Sequence, residues 1–255
     1  MTDTGPTFIS VGEGDAARKI AVRVREGAGP PVVWLGGFRS DMTATKAAAL
    51  DAWATKEKRA LVRFDYAGHG ASGGTFADCT ISSWLEDAQA VLSAYVPEPP
   101  ILVGSSMGGW IASLAARDRA ARGQTTAALV LIAPALDFTE DLIWSNLDGP
   151  ARAALTRDGV LRRPSDYASE PDPITLALIE DGRSNRLLEH PFDPACPVHI
   201  LQGMRDPDVP YQHALKTVSR LPAEGTVLTL IADGDHRLSR PQDIARLVAA
   251  VAAIS

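Results

Sequence analysis

The chain has 255 residues, of which 45% are hydrophobic and 22% are charged, and its formal net charge at pH 7 is -6. The length suits one α/β domain with an insertion, or at most two domains, and the composition is that of a globular protein with a large core. The negative charge argues against a nucleic-acid partner, and no stretch approaches the roughly 18 consecutive apolar residues of a membrane span.

The first ten residues, MTDTGPTFIS, contain neither a basic segment nor an apolar one. We therefore expect no secretory signal. Cys79 and Cys196 form neither a metal-ligand spacing nor a disulfide framework, and two cysteines in a chain of this size indicate reduced thiols and a cytoplasmic location. We expect no cofactor and no metal.

Strand patterns alternate with helix patterns along most of the chain. This alternation predicts a mostly parallel eight-stranded sheet with helices on both faces. The expected strands are 7–11, 19–25, 31–35, 60–64, 101–103, 127–132, the strand that starts near Val198, and the strand that starts near Thr226. The expected helices are 41–58, capped by Ser40 or Asp41, then 82–95, 107–119 and 241–254.

The loop that follows the fourth predicted strand contains two polar residues of interest. In Asp65-Tyr66-Ala67-Gly68-His69-Gly70, Asp65 is expected to brace backbone groups of the loop. His69 is interpreted as a turn residue rather than a catalytic base, because it precedes the serine described next and so breaks the expected chain order.

The fifth strand leads into Gly104-Ser105-Ser106-Met107-Gly108, which matches the pattern G-x-S-x-G. A serine at the tip of a tight strand-to-helix turn exposes its hydroxyl, and glycines two residues away on each side avoid a collision. Ser106 is therefore the candidate nucleophile. The alternative is a glycine-rich turn in which Ser106 only caps the helix, and Ser105 is expected to be a packing residue.

Residues 133–197 separate the sixth and seventh strands, which is more than a helical crossover needs, and they show no strand pattern. We interpret 137–193 as a helical lid inserted into a core formed by 1–136 and 194–255. The alternative is a helical pair that packs on the sheet. The apolar residues of the segment are Trp144, Leu147, Leu155, Val160, Leu161, Tyr167, Leu176 and Ile179.

The loops after the last two strands supply the partners that Ser106 requires. Asp206 follows the seventh strand and His236 follows the eighth, so the chain order is Ser, then acid, then His. Each residue lies just past the carboxyl end of its strand, where open α/β sheets place their sites. Asp208 is the rival acid, but we expect it to cap the segment that follows. Asp235 is expected to have a turn role.

A hydrolytic mechanism also requires donors for the oxyanion. The backbone N–H groups of Met107, the residue after the nucleophile, and of Phe38, in the turn after the third strand, are the candidates. The remaining histidines show no cluster of metal ligands, and we expect them to be solvent or core residues; they are His190, His199 and His213.

Four segments resemble the α/β-hydrolase superfamily: VGSSMGGW, GGFRSDM followed by Thr45-Lys46-Ala47, FDYAGHGAS and QGMRDPDVP. More narrowly, they are similar to the family of alpha/beta hydrolase domain-containing protein 10, a mitochondrial palmitoyl-protein thioesterase. The resemblance implies thioesterase action on S-acylated cysteines and esterase action on acyl-glucuronides. It places the family's Ser, Asp and His at Ser106, Asp206 and His236. Gly36 departs from the superfamily, which often has a bracing histidine there, and no mitochondrial presequence is recognisable.

The residues favour a serine hydrolase that cleaves carboxylic ester or thioester bonds of hydrophobic acyl groups through an acyl-enzyme on Ser106. Its partner is a small-molecule or S-acylated substrate. Acyl transfer or perhydrolysis by the same residues remains an alternative, and a binding protein without activity is a weaker one. Dehalogenase and epoxide-hydrolase chemistry is disfavoured because those enzymes have a carboxylate at the position of Ser106. The oligomeric state is not predicted.

Overall fold

The computed structural model describes residues 5–14, 17–163 and 171–254. The strands in these ranges are β1 (Thr7–Val11), β2 (Arg18–Arg25), β3 (Ala28–Leu35), β4 (Arg59–Phe64), β5 (Ile101–Ser105), β6 (Ala128–Ile132), β7 (Val160–Arg163), β8 (Asp172–Thr175), β9 (Val198–Gly203) and β10 (Thr226–Ile231). The helices are α1 (Thr45–Glu57), α2 (Ile81–Tyr95), α3 (Met107–Ala121), α4 (Gly149–Asp158), α5 (Leu176–Ser184), α6 (Tyr211–Val218) and α7 (Pro241–Ala252).

The main sheet has eight strands in the order β1-β2-β4-β3-β5-β6-β9-β10. Only the pairings of β2, with β1 and with β4, are antiparallel, and the strands from β4 to β10 in this order run parallel. Parallel strands end at the same edge of a sheet, so the loops after β3, β5, β6, β9 and β10 meet there. The fold class predicted from the sequence is confirmed.

Apolar residues on alternate positions of each strand are buried on opposite faces of the sheet. In β3, Val33 and Leu35 pack on the side of α2 and α3, whereas Val32 and Trp34 pack on the side of α1 and α7. Both faces are therefore covered by helices, which explains why the central strands consist of nearly continuous apolar residues.

The start of α1 differs from the prediction. The helix begins at Thr45, its N-cap residue is Ala44, and no side chain caps it. Asp41 instead accepts hydrogen bonds from the backbone N–H and the hydroxyl of Thr43, at 2.7 and 2.6 Å. The expected cap by Ser40 or Asp41 is therefore wrong, because the short Asp41 turn forms before the helix.

The segment between β6 and β9 contains two strands that the sequence pattern did not predict. β7 and β8 pair only with each other, as a small antiparallel sheet beside α4 and α5. The pattern is missing because the hairpin has no continuous apolar face, and its first strand reads VLRR. Tyr167 and the rest of 164–170 lie outside the described residues.

Part of this insertion packs on the main sheet. Leu155 of α4 and Ile179 of α5 are fully buried and belong to the same core cluster as α2, α3 and one face of the sheet. The helical-packing interpretation therefore holds for these helices, and the role of 137–193 as a lid stays a prediction. No helix in the described ranges is long and apolar enough to cross a membrane.

Candidate active site

Ser106 lies in the turn between β5 and α3 and has an unusual backbone conformation. Its φ and ψ are 53° and -118°, a strained region for a residue with a side chain. Its backbone is held on both sides: its N–H donates to the carbonyl of Ile132 at 2.9 Å, and its carbonyl accepts from Gly109 and Ala135. The packing of the sheet therefore holds a conformation that local preferences alone would not give.

The glycines of the motif allow the close packing of this turn. A Cβ at Gly104 would lie 2.4 Å from the carbonyl oxygen of Gly108, and a Cβ at Gly108 would lie 2.1 Å from the carbonyl oxygen of Leu35. Both distances are far below van der Waals contact. The spacing of the motif is therefore a steric requirement of the turn.

The three side chains predicted from chain order meet at the carboxyl edge of the sheet. The Ser106 hydroxyl is 3.1 Å from His236 Nε2, and His236 Nδ1 is 2.8 Å from Asp206 Oδ2. The Ser106 side chain makes no capping hydrogen bond to α3. The arrangement suits proton transfer from the hydroxyl to Nε2, with the carboxylate orienting the ring.

The Asp206 carboxylate is fully buried and extensively hydrogen-bonded. Oδ1 accepts from the backbone N–H groups of Asp208 and Val209, at 2.9 and 2.8 Å, and Oδ2 also accepts from Gln202 Nε2 at 3.2 Å. Gln202, at 0% exposure, also donates to two backbone carbonyls of this loop. The only sequence signal for Gln202 is its position as a polar residue at the end of an apolar strand.

Asp208 does not have the role expected for it. Helix α6 starts at Tyr211, its N-cap residue is Pro210, and no side chain caps it. Asp208 instead lines the cavity in front of Ser106, and its backbone N–H supports Asp206. The prediction of a capping role is wrong because the proline at 210 already has the extended conformation that precedes a helix.

Asp206, Asp208 and His236 also form a group whose possible ligand atoms lie within 4.8 Å of one another. Among the described residues this is the one such group of His, Cys, Asp and Glu. A cation there would compete with the hydrogen bonds that the Asp206 oxygens already accept. The donor set therefore fits a serine–histidine–carboxylate site better than a metal centre.

The turn after β3 packs directly against the nucleophile. A Cβ at Gly37 would lie 3.2 Å from the Ser105 carbonyl oxygen and 3.4 Å from Ser106 Cβ. This places the next residue, Phe38, beside Ser106, and the aromatic ring of Phe38 contacts Phe76 and Phe138 edge-on. The backbone N–H groups of Phe38 and Met107 remain the candidates for stabilising an oxyanion.

His69 braces this turn from outside the catalytic group. Its Nε2 accepts the Arg39 backbone N–H at 3.1 Å, so its Nδ1 carries the proton and donates to the Ala67 carbonyl at 3.0 Å. Burial lowers the pKa of His69 to about 4, which keeps the ring neutral at physiological pH. In the superfamily, a histidine at the position of Gly36 often braces this turn, and here His69 braces it instead. The position of His69 in the sequence did not reveal this role.

The other polar candidates have structural partners. Asp65 accepts backbone N–H groups from Met42 and Ala71, and Asp235 accepts the Leu238 N–H, as the sequence indicated. His213 is buried against the Leu136 carbonyl, and His199 contacts Thr229. His190 is exposed and Ser105 is buried, both as expected.

A cavity of 420 Å³ lies in front of Ser106 and His236. Core and insertion both contribute to its wall, and the insertion contributes apolar residues together with polar and charged ones. The apolar insertion residues are Phe138, Leu142, Ile143 and Ile174, and the polar or charged ones are Asn146, Arg163 and Asp172. Arg39 and Asp172, which both line the cavity, form an ion pair at 3.1 Å that joins the turn after β3 to the hairpin of the insertion.

Comparisons with known proteins agree with this architecture. Residues 22–248 match the model of a family described as the alpha/beta hydrolase family. Palmitoyl-protein thioesterase ABHD10, mitochondrial, from Mus musculus is 32% identical over 233 residues, which cover 91% of this chain and 77% of that protein.

Two solved structures match nearly the whole chain. A protein from Agrobacterium vitis S4 superposes with a TM-score of 0.95 at 55% identity, with 98% of each chain covered. Alpha/beta hydrolase domain-containing protein 10 from mouse superposes with a TM-score of 0.87 at 29% identity, covering 97% of this chain and 98% of that one. The resemblance inferred from the sequence motifs is confirmed.

Proposed function

This chain belongs to the alpha/beta hydrolase family and is an ester or thioester hydrolase, and we propose that Ser106, His236 and Asp206 are its catalytic groups. The observation that carries this assignment is the continuous hydrogen-bonded path from the Ser106 hydroxyl through His236 to Asp206, with 3.1 and 2.8 Å between the atoms. The elbow conformation directs the hydroxyl into the 420 Å³ cavity.

The proposed reaction has two halves. The Ser106 oxygen attacks the acyl carbon while His236 Nε2 takes the proton of the hydroxyl. The resulting imidazolium then donates that proton to the leaving thiol or alcohol. Water then attacks the acyl-enzyme with His236 again as the base. The imidazolium gives this proton to the Ser106 oxygen as its bond to the acyl carbon breaks, and the carboxylic acid leaves. In both halves the N–H groups of Phe38 and Met107 stabilise the oxyanion, and each such donor typically lowers the barrier by about 3 kcal/mol.

The substrate that fits this site is a hydrophobic acyl group on a thiol or an alcohol. Phe138, Leu142, Ile143 and Ile174 give the cavity an apolar wall beside the attacking oxygen. The mouse relative is a palmitoyl-protein thioesterase, which supports an S-acylated substrate for this chain. We propose thioester hydrolysis as the main activity, with esters as further substrates.

We also propose that residues 137–193 act as a lid that excludes water from the acyl-enzyme. The support is that described parts of this segment form a wall of the cavity and are tied to the turn after β3 by the Arg39–Asp172 ion pair.

We further propose a cytoplasmic, reducing location. Cys79 and Cys196 are both free thiols, and burial raises their pKa values, to about 11 and about 12. The curated mouse relative is a mitochondrial protein, so the location requires its own test. Fractionation of the source cells, with detection of the native protein in the soluble or the organellar fraction, decides between the two.

Ser106→Ala and His236→Ala test the catalytic assignment. Each variant is expected to lower kcat by at least about four orders of magnitude on p-nitrophenyl esters and acyl-thioesters, because the nucleophile or its base is lost. Circular dichroism is expected to be unchanged. Substantial turnover by either variant would show that another residue is the nucleophile or the base.

A further inference from the structure

A second cavity, of 320 Å³, also opens onto Ser106 and His236. It shares the Phe38 turn with the first cavity, and the rest of its wall comes from the ends of β3 and β5, from the start of α1 and from the loop after β10. Lys46 connects α1 to the loop after β10. It is partly buried and extends from α1 toward the loop that contains His236.

Lys46 makes a single long-range hydrogen bond to the backbone of that loop. Its Nζ donates to the carbonyl oxygen of Arg237 at 2.5 Å, across 191 residues of sequence. This carbonyl belongs to the residue directly after His236. The helix that carries Lys46 is rigidly packed, because Ala47 and Leu50 are fully buried against the sheet.

The charges around Lys46 are consistent with a protonated donor at neutral pH. Burial lowers its pKa to about 8, and Asp235 opposes this shift while Arg237 adds to it. Asp41, which lines the same cavity, already accepts two hydrogen bonds from Thr43. The ammonium group therefore serves the Arg237 carbonyl rather than a neighbouring carboxylate.

Other contacts hold the loop near this carbonyl and at it. The Gly234 carbonyl accepts from the Arg205 N–H. The Arg237 carbonyl also accepts from the Ser239 hydroxyl at 3.0 Å, and the Leu238 N–H of the same peptide group donates to the Asp235 side chain. Leu238 has a left-handed φ of 44°, so the chain turns sharply just after Arg237. Lys46 holds the peptide group between Arg237 and Leu238 from the side of the second cavity.

We propose that Lys46 is a positioning residue, which fixes the Arg237–Leu238 peptide, one residue beyond His236, and so keeps the imidazole aligned with Ser106. The inference rests on the proposed function. Because the distance from His236 Nε2 to the Ser106 hydroxyl is 3.1 Å, a small rotation of this peptide lengthens a hydrogen bond that proton transfer requires. Lys46 does not line the first cavity, where the proposed function places the acyl group.

The test compares Lys46→Met, which removes the donor and keeps the stem, with Lys46→Arg, which keeps a charged donor. Lys56→Met is the matched control, because Lys56 lies on the same helix with 83% side-chain exposure and pairs only at the surface with Glu57. Lys46→Met is expected to lower kcat by roughly 10- to 100-fold with KM within about twofold, for both an ester and a thioester. Lys46→Arg is expected to recover most of kcat, and Lys56→Met to match the wild type.

The rate of Ser106 labelling by a fluorophosphonate probe separates the possible failures. If the wild type is labelled and Lys46→Met is labelled and turns over equally fast, the inference is wrong and the proposed function stands. A loss confined to KM, or a Lys46→Arg variant no better than Lys46→Met, also overturns the positioning role. A wild type that shows neither Ser106 labelling nor turnover overturns the proposed function and this inference with it.

Discussion

Asp206 and Asp208 both lie close to His236, and the hydrogen bonds of their carboxylates distinguish their roles. Asp206 Oδ2 faces His236 Nδ1 at 2.8 Å, and the carboxylate is held by two backbone N–H groups and by Gln202. Asp208 supports Asp206 through its backbone and has its side chain at the cavity. The sequence left Asp208 as a rival acid because both residues follow the same strand.

Asp206→Asn is expected to reduce kcat by roughly four orders of magnitude, because an amide at this place favours the wrong tautomer of His236. Asp208→Asn, the matched variant two residues away, is expected to reduce kcat by no more than about tenfold. Steady-state kinetics on one thioester measures both. A larger loss in the Asp208 variant would make Asp208 the catalytic acid.

The titration of His69 makes its contribution to the free energy of unfolding depend on pH. Its folded-state pKa is about 4, below the ordinary value of 6.5, because burial disfavours the charged ring. The unfolded chain therefore binds the proton first, so stability is lost as the pH falls from about 6.5 to about 4. Over this range the loss amounts to roughly 3 kcal/mol.

Urea unfolding of the wild type and of His69→Gln at several pH values isolates the contribution of His69 titration to the free energy of unfolding. The wild-type advantage in the free energy of unfolding is expected to shrink by roughly 3 kcal/mol between pH 7 and pH 4, because only the wild type titrates at this position. The other ionisable groups are common to both proteins and cancel in the difference. A difference that stays constant with pH would contradict the assignment of His69 as a buried neutral brace.

At the scale of elements, the site is assembled by the shared direction of five parallel strands. The loops after β3, β5, β6, β9 and β10 bring together the Phe38 turn, Ser106, the Ala135 backbone, Asp206 and His236. No two of the three proposed catalytic side chains belong to the same loop. Their alignment therefore depends on how closely the strands and the elbow helix pack.

The tightest of these contacts is the crossing of α3 over the end of β3. Gly108→Ala is expected to destabilise the protein by roughly 3 kcal/mol, because its Cβ would lie 2.1 Å from the Leu35 carbonyl oxygen and backbone must move. This corresponds to a fall of about 10 °C in Tm. Gly149→Ala is the control, since a Cβ at Gly149 meets nothing within 4 Å. Similar Tm values for both variants would refute the steric account of the motif.

At the scale of the whole molecule, the core and the insertion contribute different parts of the site. The proposed catalytic groups and oxyanion donors all come from the core, whereas Phe138, Leu142, Ile143 and Ile174 of the insertion form the apolar wall. Substitutions in this wall are therefore expected to change which acyl group is accepted without removing the chemistry.

A chain-length series of acyl-thioesters tests this division. With the wild type, kcat/KM is expected to rise roughly fourfold per added methylene until the apolar wall ends, because each buried methylene contributes about 0.8 kcal/mol. Leu142→Trp is expected to shift the optimum to shorter chains, and Leu142→Met, of similar volume, to leave it unchanged.

The rate of Ser106 labelling by a small fluorophosphonate is expected to stay within about twofold for both Leu142 variants. A Leu142→Trp variant that lost activity equally on all chain lengths would show that this wall does not select the acyl group.

The sequence alone determined the fold class and the three proposed catalytic residues. Hydrophobic patterning identified the eight main strands. The central strands β5 and β6 are buried on both faces and consist almost entirely of apolar residues, whereas β1 and β2 near the edge are partly exposed. The glycine spacing around Ser106 could be recognised in the sequence because it is a local steric requirement of the elbow. Asp206 and His236 could be recognised from their chain order and because each lies in a polar loop directly after a strand.

Only the tertiary structure decided the features that depend on contacts between distant segments. His69 braces the Arg39 backbone from a different loop, and Lys46 reaches the Arg237 carbonyl across 191 residues. The β7–β8 hairpin was missed for the same reason, since its strands are stabilised by pairing and not by an apolar pattern. Such contacts leave no local periodicity, because their energy comes from the packing of the whole sheet and not from neighbouring residues.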